Sequence, residues 1–295
     1  MLRCALFLTL LAACAANDWP CPQPATILPC VCTADAQYEL TMDCSDVQNS
    51  KTLAQVFQTH FSFNSFKQLI INPTNPSISL QDLPAGVFGP VSFKKIDITN
   101  TRIHTVEEQA LVNSHTTLEY LNIQDNKINN FSFETLKLFT ALVNFNIANN
   151  KLSGTCPDIE SGSLLFLNLS DNSGFTLRAE TFLKAPYLEK IFLNNMRLGA
   201  SVPADVFKSL KFLEELQMNH NDIPGELIEN FIDPELRPLM SLTLNNNKIT
   251  QLHHLAITGK SHYTTTAMHA CPANNRHHYL RKPFPHSNVT KFSKL

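Results

Sequence analysis

The sequence predicts an α/β solenoid with a curved parallel β-sheet on its concave face, a mostly irregular convex side and a disulfide-stapled N-terminal cap. Three observations carry this prediction: one apolar phrase recurs, its period is nearly constant, and a cysteine cluster precedes it. The chain has 295 residues, of which 43% are hydrophobic, and its formal net charge is only -2. A charge this close to zero gives no reason to expect a nucleic-acid partner.

The recurring phrase is apolar-x-x-apolar-x-apolar-x-x-Asn-x-apolar, and its cleanest copy runs from Leu118 to Ile128. Seven copies succeed one another, with steps of 22 to 26 residues between their Asn-equivalent positions. Those positions are Thr101, Asn126, Asn150, Asn172, Met196, Asn221 and Asn247. The phrase and its period resemble the leucine-rich repeat family. With a degenerate first repeat from Leu53 to Gly89, the resemblance implies about eight repeats within residues 51–252.

The repeat phrase has a physical logic. Alternate residues of a short strand point to opposite faces, so the leucines enter the core and the residues between them face outward. The Asn that follows can satisfy backbone groups of its own and neighbouring turns, because its amide both donates and accepts. Thr101 can do part of this and Met196 cannot, so we expect a locally weaker turn at Met196. The fourth copy is also irregular, with Gly174 where an apolar residue belongs.

Residues 1–16 have the pattern of a secretory signal peptide. Arg3 is followed by an apolar run from Cys4 to Cys14, and small residues then offer a cleavage site after Ala15 or Ala16. A membrane anchor is the alternative, but the run is shorter than the ~20 residues that a spanning helix needs. We therefore expect a secreted, extracellular protein with no membrane span, in which disulfides are allowed.

Residues 17–50 form a cysteine cap. Its cysteines are Cys21, Cys30, Cys32 and Cys44. Four cysteines allow three pairings, and a zinc site is an alternative that the secretory context disfavours. The spacing resembles the N-terminal flanking cap of extracellular leucine-rich repeat proteins, and that resemblance implies the pairs Cys21–Cys32 and Cys30–Cys44.

After Leu252 the repeat register is lost. Residues 251–295 contain no Asp or Glu, six Lys or Arg and seven of the eleven histidines. A multi-cysteine module usually caps the C-terminal end of such solenoids, but here Cys271 stands alone. We interpret residues 253–295 as a disordered, basic, His-rich tail. A truncated or mis-spliced end and a His-rich metal-binding tail are the alternatives.

No catalytic motif is recognisable in the sequence, so we expect a protein that is not an enzyme and has neither a cofactor nor a metal site. The carboxylate pairs at 107–108 and 214–215 are interpreted as solvated faces rather than acid–base dyads. Cys156 could be a reactive thiol, an intermolecular link or a partner for Cys271. A nucleophile is the least favoured of these, because no His lies nearby in the repeat register.

The concave face is where a partner would bind most naturally, because solenoids present extended concave surfaces. Its outward residues are mostly polar amides interrupted by aromatic rings. We predict the binding residues Tyr120, Asn122, Asn146, Phe166, Lys190 and Phe192. The alternative is that Phe166 and Phe192 only cover each other. Three glycosylation acceptors are also present, at Asn130, Asn168 and Asn288.

A closer resemblance rests on four segments. They are Cys30–Cys32, Asp43–Ser45, Phe61–Phe66 and Leu83–Gly89, together with the repeats that follow. These segments are similar to the family of the non-catalytic subunit of Oplophorus luciferase and its crustacean relatives. In that family the repeat subunit is a secreted companion of a separate small catalytic subunit and has no luciferase activity. The resemblance does not imply that this chain meets a luciferase.

The leading functional hypothesis is a secreted binding or stabilising protein whose partner is an extracellular protein, for which a small secreted catalytic subunit is one candidate. The alternative is a pattern-recognition module that binds glycans or microbial surfaces, because Asn-rich concave rows suit sugar hydroxyls. A third hypothesis, a luciferin oxygenase in its own right, needs a substrate cavity that a packed solenoid core does not offer.

Overall fold

The computed structural model describes residues 20–75, 79–203, 205–227, 231–232, 239–252 and 256. Within them lie one α-helix, α1 (Ser50–Phe57), and four short 3₁₀ helices at Pro24–Thr26, Val112–Ser114, Phe133–Leu138 and Gly199–Ser201. The strands in chain order are β1 (Val31–Ala34), β2 (Leu40–Asp43), β3 (Ser65–Ile71), β4 (Asp82–Leu83), β5 (Ser92–Ile98), β6 (Thr105–Val106), β7 (Tyr120–Asn122), β8 (Asn130–Phe131), β9 (Asn144–Asn146), β10 (Gly154–Thr155), β11 (Phe166–Asn168), β12 (Phe175–Thr176), β13 (Lys190–Phe192), β14 (Glu215–Gln217), β15 (Pro224–Leu227), β16 (Ser241–Thr243) and β17 (Lys248–Leu252).

Ten of these strands form one sheet, in the order β1-β2-β3-β5-β7-β9-β11-β13-β14-β16. The first pair, β1 and β2, is antiparallel, and every later pair is parallel. Each repeat contributes one strand at the same place in its turn, so neighbouring turns stack in register. Smaller parallel sheets, β4-β6-β8, β10-β12 and β15-β17, lie on the returning side of the turns. The predicted solenoid with a long parallel sheet is confirmed.

The core is one continuous column of repeat side chains. In the cleanest copy, Leu118, Leu121 and Ile123 are each at most 1% exposed. Their counterparts in the next turn, Leu142 and Phe145, are equally buried. Full burial of one such side chain contributes about 1.5–3 kcal/mol, so stacking the turns supplies most of the stability.

The repeat Asn side chains hold the turns together as predicted. The Asn150 Nδ2 donates to the backbone oxygens of Ile123 in the preceding turn and Ile147 in its own turn, at 2.9 and 3.0 Å. Its Oδ1 accepts from the backbone N–H of Ile128 at 2.8 Å. Asn126 bridges its turn and the preceding one in the same way. These side chains are buried because the backbone groups that they satisfy are buried too.

The two departures from Asn behave differently. Thr101 does part of the work, because its hydroxyl accepts from the N–H of Ile103 at 3.3 Å. Met196 places a 1% exposed side chain in the core and makes no amide bridge of its own. Asn221 of the next turn accepts the Met196 N–H at 2.9 Å and donates to the Leu193 oxygen at 2.6 Å. The expected weakness of this turn stays a prediction.

The cap contains the two disulfides that the resemblance implied, Cys21–Cys32 and Cys30–Cys44. They staple the antiparallel β1–β2 hairpin onto the open end of the parallel sheet. The bonds close loops of 11 and 14 residues, for which chain entropy gives about 3 kcal/mol each. The cap therefore covers the apolar end of the first turn, as a solenoid requires.

Helix α1 was not predicted. The Asn49 side chain caps it by accepting from the Thr52 N–H at 3.0 Å, and Leu53, Val56 and Phe57 form its buried face. The signal was present in the sequence, as an Asn cap followed by apolar residues at helical spacing. The apparent irregularity of the first repeat hid it, because this turn contains an α-helix, whereas the described parts of the later turns contain only short 3₁₀ helices.

Several predictions fall outside the described residues. They concern the signal peptide 1–16, Cys271, Asn288 and all of the tail 253–295 except Ala256. Among the helices that the structure does describe, none has the length and apolarity of a membrane span.

Candidate functional site

The parallel register assembles two rows of outward side chains on the concave face. The first row is Lys95, Tyr120, Asn144, Phe166, Lys190, Glu215 and Ser241. The second row is Asp97, Asn122, Asn146, Asn168, Phe192, Gln217 and Thr243. All six predicted binding residues lie in these rows, on the neighbouring strands β7, β9, β11 and β13.

The aromatic pair lies in the middle of the sheet. The rings of Phe166 on β11 and Phe192 on β13 meet edge to face, with centroids 5.0 Å apart and an interplanar angle of 83°. Such a pair is favourable by about 0.5–1.5 kcal/mol beyond its burial. Each ring covers part of the other, and both remain partly exposed. The pair therefore leaves apolar surface exposed on the concave face.

Beside this pair, the charge on Lys190 is only loosely engaged. Its Nζ lies 3.9 Å from the Glu215 Oε2 across the β13–β14 pair, and its side chain is half exposed. The other Glu215 oxygen accepts from the Gln217 Nε2 at 2.7 Å. An exposed ion pair at this distance contributes at most about 1 kcal/mol, so Glu215 holds the Lys190 ammonium group only weakly.

The concave amides are less available than their positions suggest. Asn122 is 6% exposed: its Nδ2 donates to the Asp97 Oδ1 at 3.1 Å, and its Oδ1 accepts from the Gln124 N–H at 3.3 Å. Asn122 does lie in the outward row, but it exposes little surface and its amide is engaged through both its nitrogen and its oxygen; its role in binding stays a prediction. Asn146 is partly exposed, but its amide is also used, on Gln124 and on the Ala148 N–H.

Two further concave residues are notable that the sequence analysis did not select. Asn144 lies between Tyr120 and Phe166 in the first row, and its Oδ1 is buried without a hydrogen-bond partner among the described residues. Asp97 is the only carboxylate of the second row. Its pKa is raised by burial, although the hydrogen bond from Asn122 opposes this shift. The sequence could have singled out Asp97, because it is a carboxylate in a row whose other residues are mostly amides.

The described glycosylation acceptors differ in setting. Asn130 is exposed on β8, at the returning side of its turn and away from the concave rows. Asn168 lies inside the concave sheet on β11, and its Oδ1 accepts from the Ser170 N–H at 3.0 Å. The Ser170 of this acceptor motif is only 5% exposed. A glycan is therefore better accommodated at Asn130.

Catalytic chemistry has little support in the described part of the chain. Cys156 is an unpaired thiol, fully buried, and burial raises its pKa to about 12. A thiol in that state is not a nucleophile at neutral pH, and no other molecule can reach it to form a link. No group of three or more His, Cys, Asp or Glu suited to a metal ion occurs among the described residues.

Comparison with known proteins agrees with the fold. No family model matches the sequence. The chain is 29% identical over 208 residues to the non-catalytic subunit of Oplophorus-luciferin 2-monooxygenase from Oplophorus gracilirostris, covering 70% of this chain and 56% of that protein. It is 28% identical over 204 residues to osteomodulin from Bos taurus, covering 68% of this chain and 42% of that protein. The chain thus spans about half the length of these two relatives.

A solved leucine-rich repeat protein of Leptospira interrogans superimposes with a TM-score of 0.51 at 21% identity, over 68% of this chain and 53% of the other. A likeness at that identity concerns the fold alone. Together with the repeat register, the Asn bridges and the disulfide cap, these similarities show that the chain has the leucine-rich repeat fold and is similar in sequence to the non-catalytic subunit.

Proposed function

We propose that this chain is a secreted, non-enzymatic protein that binds or stabilises an extracellular protein partner through its concave face. The observation that carries the proposal is the partly exposed Phe166–Phe192 pair at the middle of the sheet. The relative from Oplophorus gracilirostris is named as a non-catalytic subunit, which supports a role in an assembly. By that similarity, a small secreted catalytic subunit is one candidate partner.

The physical argument concerns how interfaces obtain their affinity. A few rigid aromatic side chains surrounded by polar groups supply most of the binding free energy of typical protein interfaces. Here the two rings are already ordered against each other, so their immobilisation costs little on binding. The neighbouring Lys190 adds a charge that can select for an acidic group on the partner.

Photo-crosslinking tests this proposal. A benzoylphenylalanine at Lys190 stands next to the aromatic pair, and a control at exposed Lys137 stands on the 3₁₀ helix Phe133–Leu138 of the returning side. Both variants are incubated in the extracellular fluid of the source organism and irradiated. We expect a discrete protein adduct from position 190 only. Recovery of free monomer from both variants, or equal adducts from both, would refute a concave binding face.

Glycan binding is less favoured by the geometry. It requires free amide groups on the concave rows, and those of Asn122 and Asn146 are engaged by Asp97, Gln124 and backbone groups. A glycan array gives the direct comparison. Binding of any sugar that the change Asn146→Ala abolishes would favour the recognition module over the protein-binding role.

A further inference from the structure

We propose that Asp97 and Tyr120 form an anchor site on the concave face for one cationic side chain, Lys or Arg, of the protein partner. The inference rests on the proposed function, since it specifies the chemistry that the partner presents to the turns preceding the aromatic pair. Four structural observations support it. The Asp97 carboxylate is held in one orientation, and Tyr120 lies on the same face. Asp97 forms no ion pair among the described residues, and it is partly buried.

The carboxylate is held in one orientation. Asp97 on β5 and Asn122 on β7 are partners in the parallel register. The Asn122 Nδ2 donates to the Asp97 Oδ1 at 3.1 Å, while the backbone N–H of Gln124 fixes the Asn122 amide from the other side at 3.3 Å. One oxygen of Asp97, Oδ1, is thereby held in position.

Tyr120 supplies the aromatic side of the site. It precedes Asn122 by two residues on β7, so both side chains belong to the same face of the sheet. The pKa of the Tyr120 hydroxyl is raised by burial and, to a smaller extent, by the negative charge of Asp97. In the parallel register Tyr120 lies opposite Lys95, two residues before Asp97 on β5, so Tyr120 is the diagonal neighbour of Asp97 on this face. A cation held by Asp97 could therefore also contact the π face of the Tyr120 ring, which attracts cations.

The carboxylates nearest the cap form ion pairs with lysines, whereas Asp97 forms none among the described residues. Asp35 and Glu39 pair with Lys67 at 2.7 and 3.1 Å, and Glu39 also pairs with Lys94 at 2.9 Å. Asp97 has no ion pair within 4.0 Å among the described residues. Lys95 lies on the same strand and face but forms no such contact with it. The concave face thus presents a carboxylate whose counter-ion is missing.

The free-energy argument follows from burial. Asp97 is partly buried beside Ile70 of β3, its partner in the register on the side opposite Asn122. Burial raises the pKa of Asp97, because the ionised form loses water and gains only one hydrogen bond. An ammonium or guanidinium group would supply the missing charge and donors and would lower that pKa again. A neutral hydroxyl would supply no positive charge and would not produce this lowering of the Asp97 pKa.

The test uses defined probes and does not need the partner. N-acetyl-L-arginine amide is titrated into the ¹⁵N-labelled protein, and the side-chain amide signals of Asn122 are followed by NMR. N-acetyl-L-citrulline amide is the neutral probe of nearly the same shape. The variants are Asp97→Asn, which keeps an acceptor for Asn122, and the matched control Asp125→Asn, a partly exposed carboxylate whose Oδ1 accepts from Asn149 at 2.7 Å.

We expect the arginine probe to shift the Asn122 signals and the citrulline probe to bind about five- to tenfold more weakly, as loss of a cation–π contact and an ion pair predicts. Asp97→Asn should remove this discrimination, and Asp125→Asn should keep it. The pKa of Asp97, followed through its carboxyl carbon, should fall when the arginine probe is added. A purely structural Asp97 would show no such fall. Equal binding of the two probes, or unchanged discrimination in Asp97→Asn, would overturn the anchor site.

A crosslinking arm separates this outcome from failure of the proposed function. The position-190 crosslinker is combined with Asp97→Asn. If the partner adduct persists undiminished while the probes show no discrimination, the anchor site is refuted and the protein-binding role stands. If the probes discriminate but no partner adduct forms even with Asp97 intact, the proposed function fails and the anchor loses the partner that it was assigned to recognise.

Discussion

Replacing Asn150 with alanine should cost about 2–4 kcal/mol of unfolding free energy, and the structure shows how that value divides. The Asn150 Oδ1 is the acceptor of the Ile128 N–H, for which no other acceptor occurs among the described residues. Leaving this buried N–H unpaired costs about 1–3 kcal/mol. Three backbone oxygens accept from the Asn150 Nδ2, and each also accepts from a second donor, so loss of the Asn150 donor adds less to the cost. Those oxygens belong to Ile123, Ile147 and Ala148.

Urea unfolding followed by far-UV circular dichroism measures the total cost, and hydrogen exchange localises it. In Asn150→Ala the Ile128 amide should exchange much faster, because its acceptor is gone. The matched control is Asn149→Gly. Asn149 is exposed, its φ is +50°, and its side chain bonds only the Asp125 carboxylate, at 2.7 Å. Glycine accepts that φ without strain, so the control should stay within about 0.5 kcal/mol of the parent protein.

Two results would refute the reasoning. If Asn150→Ala and Asn149→Gly were equally stable, the amide bridges would contribute nothing beyond packing. If the stability fell but the Ile128 amide kept its protection, the loss would come from somewhere other than the orphaned N–H. Either result would also remove the reason for regarding Met196 as a weak turn.

Three further predictions concern other sites. Gly89→Ala should destabilise the chain by more than about 3 kcal/mol or prevent folding, because the φ of Gly89 is +51° and an added Cβ would lie 2.2 Å from the Phe57 backbone oxygen. A variant with the same thermal unfolding temperature as the parent protein would contradict this prediction. Iodoacetamide at pH 8 should not alkylate Cys156 in the native protein, because the pKa of this thiol is raised to about 12, but it should alkylate Cys156 fully in urea. Peptide mass spectrometry measures the extent of labelling in both states. Rapid labelling of the native protein would show that the site opens. Burial lowers the pKa of His115, so on acidification the unfolded chain binds a proton near the ordinary pKa of about 6.5 before the folded chain does, and stability should fall as the pH drops below that value. The variant His115→Gln should therefore show a smaller fall in urea midpoint between pH 7.5 and 5. Identical pH profiles of the two proteins would exclude a contribution from His115.

The fold could be predicted from the sequence because its rules are local and repeated. A leucine two residues from another faces the same side of a strand, and an Asn at a fixed offset meets the same backbone groups in every turn. The rows of concave residues followed from this period without any distance information. Helix α1 was not predicted because its signals, the cap at Asn49 and the apolar face of Leu53, Val56 and Phe57, are not part of the repeat period. Among the described residues it is the only α-helix, and later turns have only short 3₁₀ helices.

The candidate site could be predicted only in part. The sequence placed Asn122 among the outward residues, but its exposure is only 6%, and its amide bonds Asp97 on the neighbouring strand β5 and the backbone N–H of Gln124 in its own turn. Likewise, the position of Phe166 beside Phe192 follows from the period, whereas the edge-to-face contact that leaves both rings partly exposed depends on rotamers.

The amino-acid sequence by itself determined the solenoid, the register of its turns and the position of the concave rows, since these follow from a period that every repeat restates. Only the tertiary structure decided which concave side chains are free to act. Availability depends on what each polar atom already bonds: among the described residues Asp97 forms no ion pair, while the amide of Asn122, its register partner, is engaged through both its nitrogen and its oxygen.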